Sequence, residues 1–238
     1  MKKEAVKIQN VGYELMADWY CTDADQVLLV LPGFTSTKEK YQDLVTNIVN
    51  HTGASALVLD YAGHGKSPYN IDDLTRADNF SDVIAAFDWL TNSFGNKEIT
   101  VVGTSYGGFH AAYLTKFRQF KNVIFRVPAS YPEETLYTKI GRMKDPHSDS
   151  YRNNPDNYIN HWLFTHPGSV KGKALVITHE YDTVCPPTAT KPFAIAFKAD
   201  TWEAPGFNHG FSESDVTKEQ IYEYYKKISD WISEGCLK

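Results

Sequence analysis

One serine in this sequence stands between small residues where an apolar run ends. The stretch is "ITVVGTSYGGFHAAYL", in which Gly103 and Gly107 lie two positions before and after Ser105. This Gly-x-Ser-x-Gly spacing, between a predicted strand and a predicted helix, is typical of a nucleophilic serine on a tight turn. The glycines lack the Cβ atoms that would clash in such a turn. We therefore expect Ser105 to attack a carbonyl carbon; a glycine-rich turn that happens to hold a serine is the alternative.

Two further residues could activate that serine, because a serine hydroxyl is a weak nucleophile without a base and an acid that orients the base. His209 lies in "APGFNHGF" after the last predicted strand, and Asp182 lies in "ITHEYDTVCPP" after the strand before it. We expect both to meet Ser105 at one edge of the sheet. The alternatives are a loop histidine without a role and an aspartate that only caps a helix.

The sequence holds other candidates for the base and the acid. The other histidines that could serve are His64, His110, His147, His161, His166 and His179. We expect His110 to face packing behind the serine and His64 to shape a turn. Glu180 is a weaker candidate for the acid than Asp182, because it should project from the other face of its strand if a turn begins at Tyr181.

Acyl transfer also needs N–H groups that stabilise the negative oxygen of the tetrahedral intermediate. The backbone N–H of Tyr106, directly after the serine, is one predicted donor. The second is predicted to be the N–H of Phe34 in "LPGFTS", since Pro32 in the same loop has none. A plain strand-ending turn is the alternative interpretation of this loop.

Alternating strands and helices are predicted to position these residues. Residues 6–21 predict one or two opening strands. Six further strands are predicted, within "QVLLVLPGF", "SALVLDYAGHG", "EITVVGTSYGG", "NVIFRVPAS", "KALVITHEYD" and "DTWEAPGFNHG", the first two of them as buried apolar runs. Helical spacing predicts helices within "KEKYQDLVTNIVNHTG", "NFSDVIAAFDWLTNSFG", residues 108–117, "TATKPFAIAFKA" and "KEQIYEYYKKISDWISE". This alternation predicts the α/β class, with a mostly parallel sheet and helices on both faces.

Residues 131–170 break this rhythm. They are rich in Tyr, Asn, Asp and Pro and show no clean strand or helix pattern. So long a segment in a compact domain is usually a functional lid or disordered, and its aromatic residues favour a lid. Four of them, Tyr137, Tyr158, Trp162 and Phe164, could line an apolar or aromatic substrate pocket. The alternative is that they only attach the segment to the body of the domain.

Composition excludes several classes of protein. The net charge of −5 comes without a basic run, which argues against nucleic-acid binding. The start of the sequence lacks the apolar region of a signal peptide, and no stretch is apolar enough to span a membrane. Cys21, Cys185 and Cys236 are odd in number and lack zinc-ligand spacing. We therefore expect a cytoplasmic protein without a metal site, and the sequence leaves the oligomeric state open.

Together these motifs resemble the α/β-hydrolase family from about residue 25 onward. "LPGFTST" is similar to its oxyanion loop, "DYAGHGKS" to its D-x-x-G-x-G-x-S turn, "GTSYGG" to its nucleophile elbow and "GFNHGF" to its histidine loop. "HEYDTVCPP" resembles its acid loop, with His179 in the usual glycine position. The resemblance implies an eight-stranded sheet in one domain, 1–238, with a short cap, 131–170, inserted after the sixth strand of that fold.

The resemblance also implies an activity. The compact length and short cap look most like small serine carboxylesterases, including feruloyl and cinnamoyl esterases and the monoacylglycerol-lipase-like group. These imply hydrolysis of small-molecule esters with small or aromatic acyl groups through an acyl-enzyme, without a cofactor. Two alternatives remain open: a thioesterase or acyltransferase with the same triad, and a non-catalytic ligand-binding protein of this fold. A haloalkane dehalogenase fits less well because it uses an aspartate nucleophile. A prolyl aminopeptidase also fits less well, because no Arg/Glu pattern for a free amino terminus is evident.

Overall fold

The sheet that carries the motifs has eight strands. The computed structural model describes residues 1–95, 97–144, 149–210 and 216–234. The strands are β1 (Lys2–Asn10), β2 (Tyr13–Cys21), β3 (Gln26–Leu31), β4 (Ser55–Leu59), β5 (Glu98–Thr104), β6 (Asn122–Arg126), β7 (Ala174–His179) and β8 (Asp200–Ala204). Their order in the sheet is β1-β2-β4-β3-β5-β6-β7-β8. Only the β1–β2 and β2–β4 pairs in this sheet are antiparallel, so the predicted mostly parallel, eight-stranded sheet is confirmed.

Helices cover both faces of this sheet, as predicted. They are α1 (Gln42–Thr52), α2 (Arg76–Phe94), α3 (Tyr106–Leu114), α4 (Asp149–Arg152), α5 (Trp162–Thr165), α6 (Pro187–Phe197) and α7 (Lys218–Glu234). The buried side chains of α1 and α7 join one hydrophobic core, and those of α2, α3 and α6 join the other. The short helices α4 and α5 lie within residues 131–170, between β6 and β7.

The central strand β3 shows why the buried strands are apolar without interruption. Leu28 and Val30 pack into the core beneath α1 and α7, whereas Leu29 and Leu31 pack into the core beneath α2 and α3. All four are fully buried. Because successive side chains point to opposite faces, a strand covered on both sides needs apolar residues at every position. Because both faces of these strands are buried, the strands are held firmly in place. The candidate catalytic loops, which follow the strand ends, are positioned by them.

One helix starts earlier than the sequence predicts. Helix α3 spans Tyr106–Leu114 instead of 108–117, so it begins immediately after Ser105. Gly107 and Gly108 have low helix propensity, which favours a later start. Both nevertheless lie within the helix. An added Cβ would lie 2.0 Å from the carbonyl oxygen of Leu31 at Gly107 and 2.7 Å from the Cβ of Pro128 at Gly108, so both positions require glycine.

Segments that cross a membrane as helices need about 20 apolar residues. Among the residues described above, no helix meets the length and hydropathy required.

Candidate active site

Ser105 occupies a strained turn between β5 and α3. Its backbone angles are φ 52° and ψ −111°, a combination that residues other than glycine rarely adopt. Its N–H donates to the carbonyl of Arg126 at 2.9 Å, and its carbonyl accepts from the N–H groups of Gly108 and Ala129 at 2.9 and 3.0 Å. These backbone hydrogen bonds hold the turn to α3 and to the end of β6.

Two glycines allow the backbone to close around this serine. A Cβ added at Gly103 would lie 2.3 Å from the carbonyl oxygen of Gly107, on the far side of the turn. A Cβ added at Gly107 would lie 2.0 Å from the carbonyl oxygen of Leu31, at the end of β3. Both distances are far below van der Waals contact, and the atoms that would be met belong to the backbone. The spacing of the sequence motif therefore reflects a steric requirement.

The side chains of Ser105, Asp182 and His209 lie within hydrogen-bond distance of one another in series. Nε2 of His209 is 3.0 Å from Oγ of Ser105, and Nδ1 of His209 is 2.7 Å from Oδ2 of Asp182. A carboxylate can only accept, so a neutral imidazole here donates through Nδ1 and leaves Nε2 to accept the serine proton. This is the tautomer that a general base for Ser105 requires.

Asp182 is fixed in rotation by the loop that contains it. Its Oδ1 accepts hydrogen bonds from the N–H groups of Val184 and Cys185, at 2.9 and 2.8 Å, before α6 begins. Its side chain is only 1% exposed. These bonds leave Oδ2 directed at His209. The aspartate thus closes a turn and contacts the histidine at the same time. It does not cap α6, which begins at Pro187 after Pro186 without a side-chain cap.

A second histidine supports the loop that carries His209. Nδ1 of His179, at the end of β7, donates to the carbonyl of Asn208 at 2.6 Å, and Nε2 lies 2.9 Å from the hydroxyl of Tyr224. Burial, with the nearby Arg126 cation as the second cause, lowers the pKa of His179 to about 3. A neutral ring with Nδ1 protonated satisfies both contacts. The histidine that replaces the usual glycine of the acid loop therefore anchors the backbone next to His209.

The loop after β3 lies against Ser105. A Cβ built on Gly33 would be 3.7 Å from the Cβ of Ser105, and the N–H of Gly33 donates to the hydroxyl of Tyr41 at 2.9 Å. The next residue is Phe34, whose ring lies 5.3 Å from that of Tyr106. Tyr106 is the first residue of α3, where helix N–H groups have no intrahelical acceptor. The two residues predicted to donate to the oxyanion thus flank the serine.

The "DYAGHGKS" motif fixes the end of this loop through hydrogen bonds. Asp60 accepts hydrogen bonds from the N–H groups of Lys38 and Lys66, at 2.7 and 3.0 Å. A Cβ at Gly65 would lie 2.2 Å from a carboxylate oxygen of Asp60, so only glycine fits there. Ser67 closes the turn by donating to the carbonyl of Asp60 at 2.7 Å. The motif fixes the segment that leads into α1 and gives the site no acid or base.

A cavity of about 610 Å³ opens onto Ser105 and His209. Its wall combines the loop after β3, the start of α1, one side of α7 and part of the segment 131–170. Aromatic and aliphatic side chains in that wall include Phe34, Tyr41, Leu44, Tyr131, Val184 and Tyr225. This size and the mixture of apolar surface with a few polar groups are typical of small-molecule sites.

The four aromatic residues predicted for a substrate pocket are absent from the wall of this cavity. Tyr137 is 79% exposed and Trp162 is 41% exposed, with the ammonium of Lys116 3.3 Å from the centre of the Trp162 ring. The ring of Phe164 packs against Phe193 of α6. Tyr158 is buried and bonds to the segment's own backbone. The structure corrects the prediction, because these side chains contact the body of the domain, the segment itself or solvent.

The other candidate bases and the second acid lie elsewhere. His64 and His110 are buried, and burial lowers the pKa of both rings, most strongly for His110. His64 contacts the carbonyl of Ala62 within its own turn. Glu180 accepts from the N–H of Gly206. His147 and Cys236 lie outside the described residues.

Among the residues of the cavity wall that the sequence analysis missed are Tyr131, Arg126 and Arg152. Arg126 closes the apolar run "NVIFR" at the carboxyl end of β6. A charged residue at the end of a strand buried on both faces is a signal that could have marked it, since such strand ends face the ligand in open α/β sheets. Arg152 lies in the segment without periodicity, where no comparable signal exists.

Solved structures share this fold over nearly the whole chain. The esterase Pf2001 of Pyrococcus furiosus has a TM-score of 0.75 at 19% identity, with 98% of this chain and 91% of that chain covered. The protein Est1E of Butyrivibrio proteoclasticus, solved with ferulic acid bound, has a TM-score of 0.69 at 19% identity, with 94% and 97% covered. A putative α/β hydrolase of unknown function from Agrobacterium tumefaciens has a TM-score of 0.70 at 16% identity, with 99% of each chain covered. These likenesses concern the fold.

The sequence itself also identifies a family. No curated protein matches the chain significantly. The model of the family described as alpha/beta hydrolase fold, however, matches residues 26–147, which is just over half of the 238 residues. That range contains the loop after β3, the "DYAGHGKS" turn and the serine elbow. The chain therefore belongs to the α/β-hydrolase fold family.

Proposed function

We propose that this protein hydrolyses carboxylic esters through an acyl-enzyme formed on Ser105. The observation that carries the proposal is the series of contacts from Ser105 Oγ to His209 Nε2, at 3.0 Å, and from His209 Nδ1 to Asp182 Oδ2, at 2.7 Å. The cavity beside these atoms can hold a small molecule. The esterase Pf2001 of Pyrococcus furiosus, which has the same fold, supports the reaction class.

The proposed reaction has two halves that use the same groups. Oγ of Ser105 attacks the ester carbonyl carbon while Nε2 of His209 takes the hydroxyl proton, and Asp182 stabilises the resulting imidazolium. The C–O bond of the ester then breaks, and the alcohol leaves with that proton. Water next attacks the acyl-serine carbonyl and gives a proton to His209. The acid leaves, and the proton returns to Oγ of Ser105.

The N–H groups of Phe34 and Tyr106 are proposed to bind the oxygen that becomes negative in both tetrahedral intermediates. Both residues lie beside Ser105, and the positive end of α3 points at the same place. Donors that are fixed before the reaction need no reorganisation when the charge develops. The hydrogen bond from Gly33 to Tyr41 and the Asp60 turn supply that rigidity.

Small or aromatic acyl groups are the proposed substrates. The tyrosines at positions 41, 131 and 225 and Phe34 give the cavity aromatic surface, against which a planar acyl group can pack. Est1E of Butyrivibrio proteoclasticus, solved with ferulic acid bound, supports an aromatic acyl group. The odd number of cysteines and their wide spacing in the sequence support a reducing, cytoplasmic setting for this activity. We also propose that residues 131–170 act as a cap, because Tyr131 and Arg152 line the cavity.

The decisive experiment is labelling with a fluorophosphonate, which reacts with activated serines, combined with ester hydrolysis. Wild-type protein should be labelled and should hydrolyse para-nitrophenyl acetate, and Ser105→Ala should lose the labelling and about 10³- to 10⁶-fold in turnover. Ser93→Ala, at an exposed serine near the end of α2, is the matched control. Full activity of Ser105→Ala would refute the proposal. A panel of ester, thioester and anilide substrates then ranks the reaction classes.

A further inference from the structure

The buried charges in the described wall of the cavity are both guanidinium groups. Arg126 and Arg152 are 7% and 1% exposed and line the space that opens onto the serine. The other charged side chains of this wall, Lys40 and Asp43, are exposed and carry opposite charges. Among the described residues of this wall the buried charge is therefore positive, although the chain as a whole carries a net charge of −5.

Arg126 is held directly beside the nucleophile. Its own carbonyl accepts the N–H of Ser105. Its Nε donates to the hydroxyl of Tyr224 at 2.8 Å, and its Nη1 donates to Oγ1 of Thr104 at 3.4 Å. These described partners orient the guanidinium through neutral oxygen atoms. A guanidinium stays charged at every pH at which the protein is folded.

The same tyrosine connects this guanidinium to the loop of His209. Tyr224 accepts from Arg126, so its own proton is available to donate to Nε2 of His179, which in turn donates through Nδ1 to the carbonyl of Asn208. The order of donors and acceptors is consistent along the whole series. The guanidinium is thus connected, through Tyr224 and His179, to the loop that carries the proposed catalytic base.

We propose that the ester bound in this cavity carries a carboxylate and that Arg126 binds it, an inference that rests on the proposed ester hydrolysis at Ser105. A planar guanidinium matches the geometry of a carboxylate, and hydrogen bonds between charged partners are about twice as strong as neutral ones. Because Arg126 is only 7% exposed, the lower local dielectric strengthens that attraction further. The carboxylate is a part of the substrate distinct from the ester that reacts.

Arg152 contributes in a different manner. Its Nε and Nη1 donate to the carbonyls of Ser130 and Val184, both at 3.3 Å, and its guanidinium lies 4.9 Å from the centre of the Tyr131 ring. It therefore joins the segment 131–170 to the loop of Asp182. We assign the direct contact to Arg126 because Arg152 bridges two parts of the chain.

The test compares kcat/KM for two pairs of esters that differ by one carboxylate. In para-acetoxybenzoate and para-tolyl acetate the difference lies on the alcohol part; in monomethyl adipate and methyl heptanoate it lies on the acyl part. The preference of Arg126→Met for the charged member of at least one pair should be about 10- to 100-fold lower than that of the wild type. Arg118→Met removes the same charge from an ion pair with Asp88 outside the cavity wall and should leave the preference unchanged.

Two further variants test whether the charge and the position of the guanidinium matter. Arg126→Lys retains the charge without the planar fork and should keep part of the preference. An unchanged preference of Arg126→Met on both pairs overturns the proposal, and a loss that occurs only in Arg152→Met overturns the assignment to Arg126.

A binding experiment separates this inference from the proposed function. If wild-type protein neither reacts with the fluorophosphonate nor hydrolyses para-nitrophenyl acetate or any of the four esters, the proposed function fails. Calorimetric titration with adipate and its neutral analogue adipamide still tests the carboxylate site. The same titration serves if the Arg126 variants do not fold. Saturable binding of adipate but not adipamide supports the site, and equal or absent binding overturns it.

Discussion

The loops that carry the candidate catalytic residues and the segment 131–170 meet at one cavity but are held by different interactions. Around Ser105 the contacts join backbone to backbone, and glycines let the chain approach to distances that no side chain would allow. In the segment, side chains bind the backbone: His161 donates to the carbonyl of Tyr131 at 2.9 Å, and Tyr158 donates to that of Arg152 at 3.1 Å. The position of Ser105 thus depends mainly on backbone geometry. The segment combines bonds from individual side chains with a close backbone approach at Gly168, where an added Cβ would lie 2.2 Å from the carbonyl carbon of Thr115.

The largest expected difference between the two regions is in turnover. Asp182→Asn should lower kcat by about 10³- to 10⁴-fold, because the amide keeps the bonds from Val184 and Cys185 while its NH₂ group forces His209 into the wrong tautomer. Asp156→Asn, the same change at an exposed position of the segment, should leave kcat within about 2-fold. Steady-state kinetics on an ester that the wild type hydrolyses checks both. Equal activity of Asp182→Asn and wild type would contradict the assigned acid.

A second expected difference is in how much stability is lost when a glycine gains a methyl group. Gly107→Ala should lower the free energy of unfolding by at least about 3 kcal/mol, because the new Cβ would meet the carbonyl of Leu31 at 2.0 Å and neither backbone segment can move away. Gly53→Ala separates crowding from torsional strain: it has φ 75° but no atom within 4 Å of the added Cβ. Its cost should be only about 1 to 2 kcal/mol. Urea denaturation of the two variants measures the difference, and equal losses would exclude crowding as the cause.

This contrast also explains which parts of the structure could be predicted from the sequence. That Ser105, Asp182 and His209 come together was predictable because each follows a predicted strand and parallel strands end at one edge. The apolar run is visible for the strands before Ser105 and Asp182, whereas β8, before His209, is mostly exposed. The early start of α3 was not predictable, since the low helix propensity of two glycines opposes it. The close contacts that require glycine at both positions involve Leu31 and Pro128, which are remote in sequence.

The cap was harder because composition does not say which surface an aromatic ring will face. Phe164 packs on Phe193 and Trp162 lies beside Lys116, and both partners are remote in sequence. Tyr131 lines the cavity, although nothing in its local pattern distinguishes it from Tyr137, which is mostly exposed. Long-range packing decides these positions, and the local sequence carries no periodic signal for it.

Low pH should lower the free energy of unfolding through His179, which bonds to the loop that carries His209. The pKa of His179 is about 3 in the folded protein, against 6.5 for the ordinary value, because burial disfavours the charged ring. A lowered histidine pKa contributes stability that is complete above pH 6.5 and is lost as the pH falls below it. From pH 7.5 to pH 5 this group should therefore cost about 2 kcal/mol of unfolding free energy.

The variant His179→Gln tests this contribution. It should be less stable than the wild type at pH 7.5, and its unfolding free energy should fall less steeply towards pH 5, because the titrating group is gone. Urea denaturation at several pH values measures both slopes. His161→Gln is the matched variant in the segment, where burial also lowers the histidine pKa. Parallel pH profiles for wild type and His179→Gln would disprove the assigned cause.

The smallest expected effect lies in the segment and affects stability more than chemistry. Tyr158→Phe removes a hydroxyl that donates to the carbonyl of Arg152 and accepts from Ser130, both at 3.1 Å, while the ring remains packed. The loss should be about 1 to 1.5 kcal/mol of unfolding free energy, with kcat changed less than about 3-fold, because no catalytic candidate contacts this group. Tyr137→Phe, at an exposed tyrosine, should change stability by less than about 0.5 kcal/mol. A loss of kcat in Tyr158→Phe comparable to that of Asp182→Asn would mean that the two regions are coupled in the reaction, because a bond internal to the cap would then be controlling the geometry of the serine.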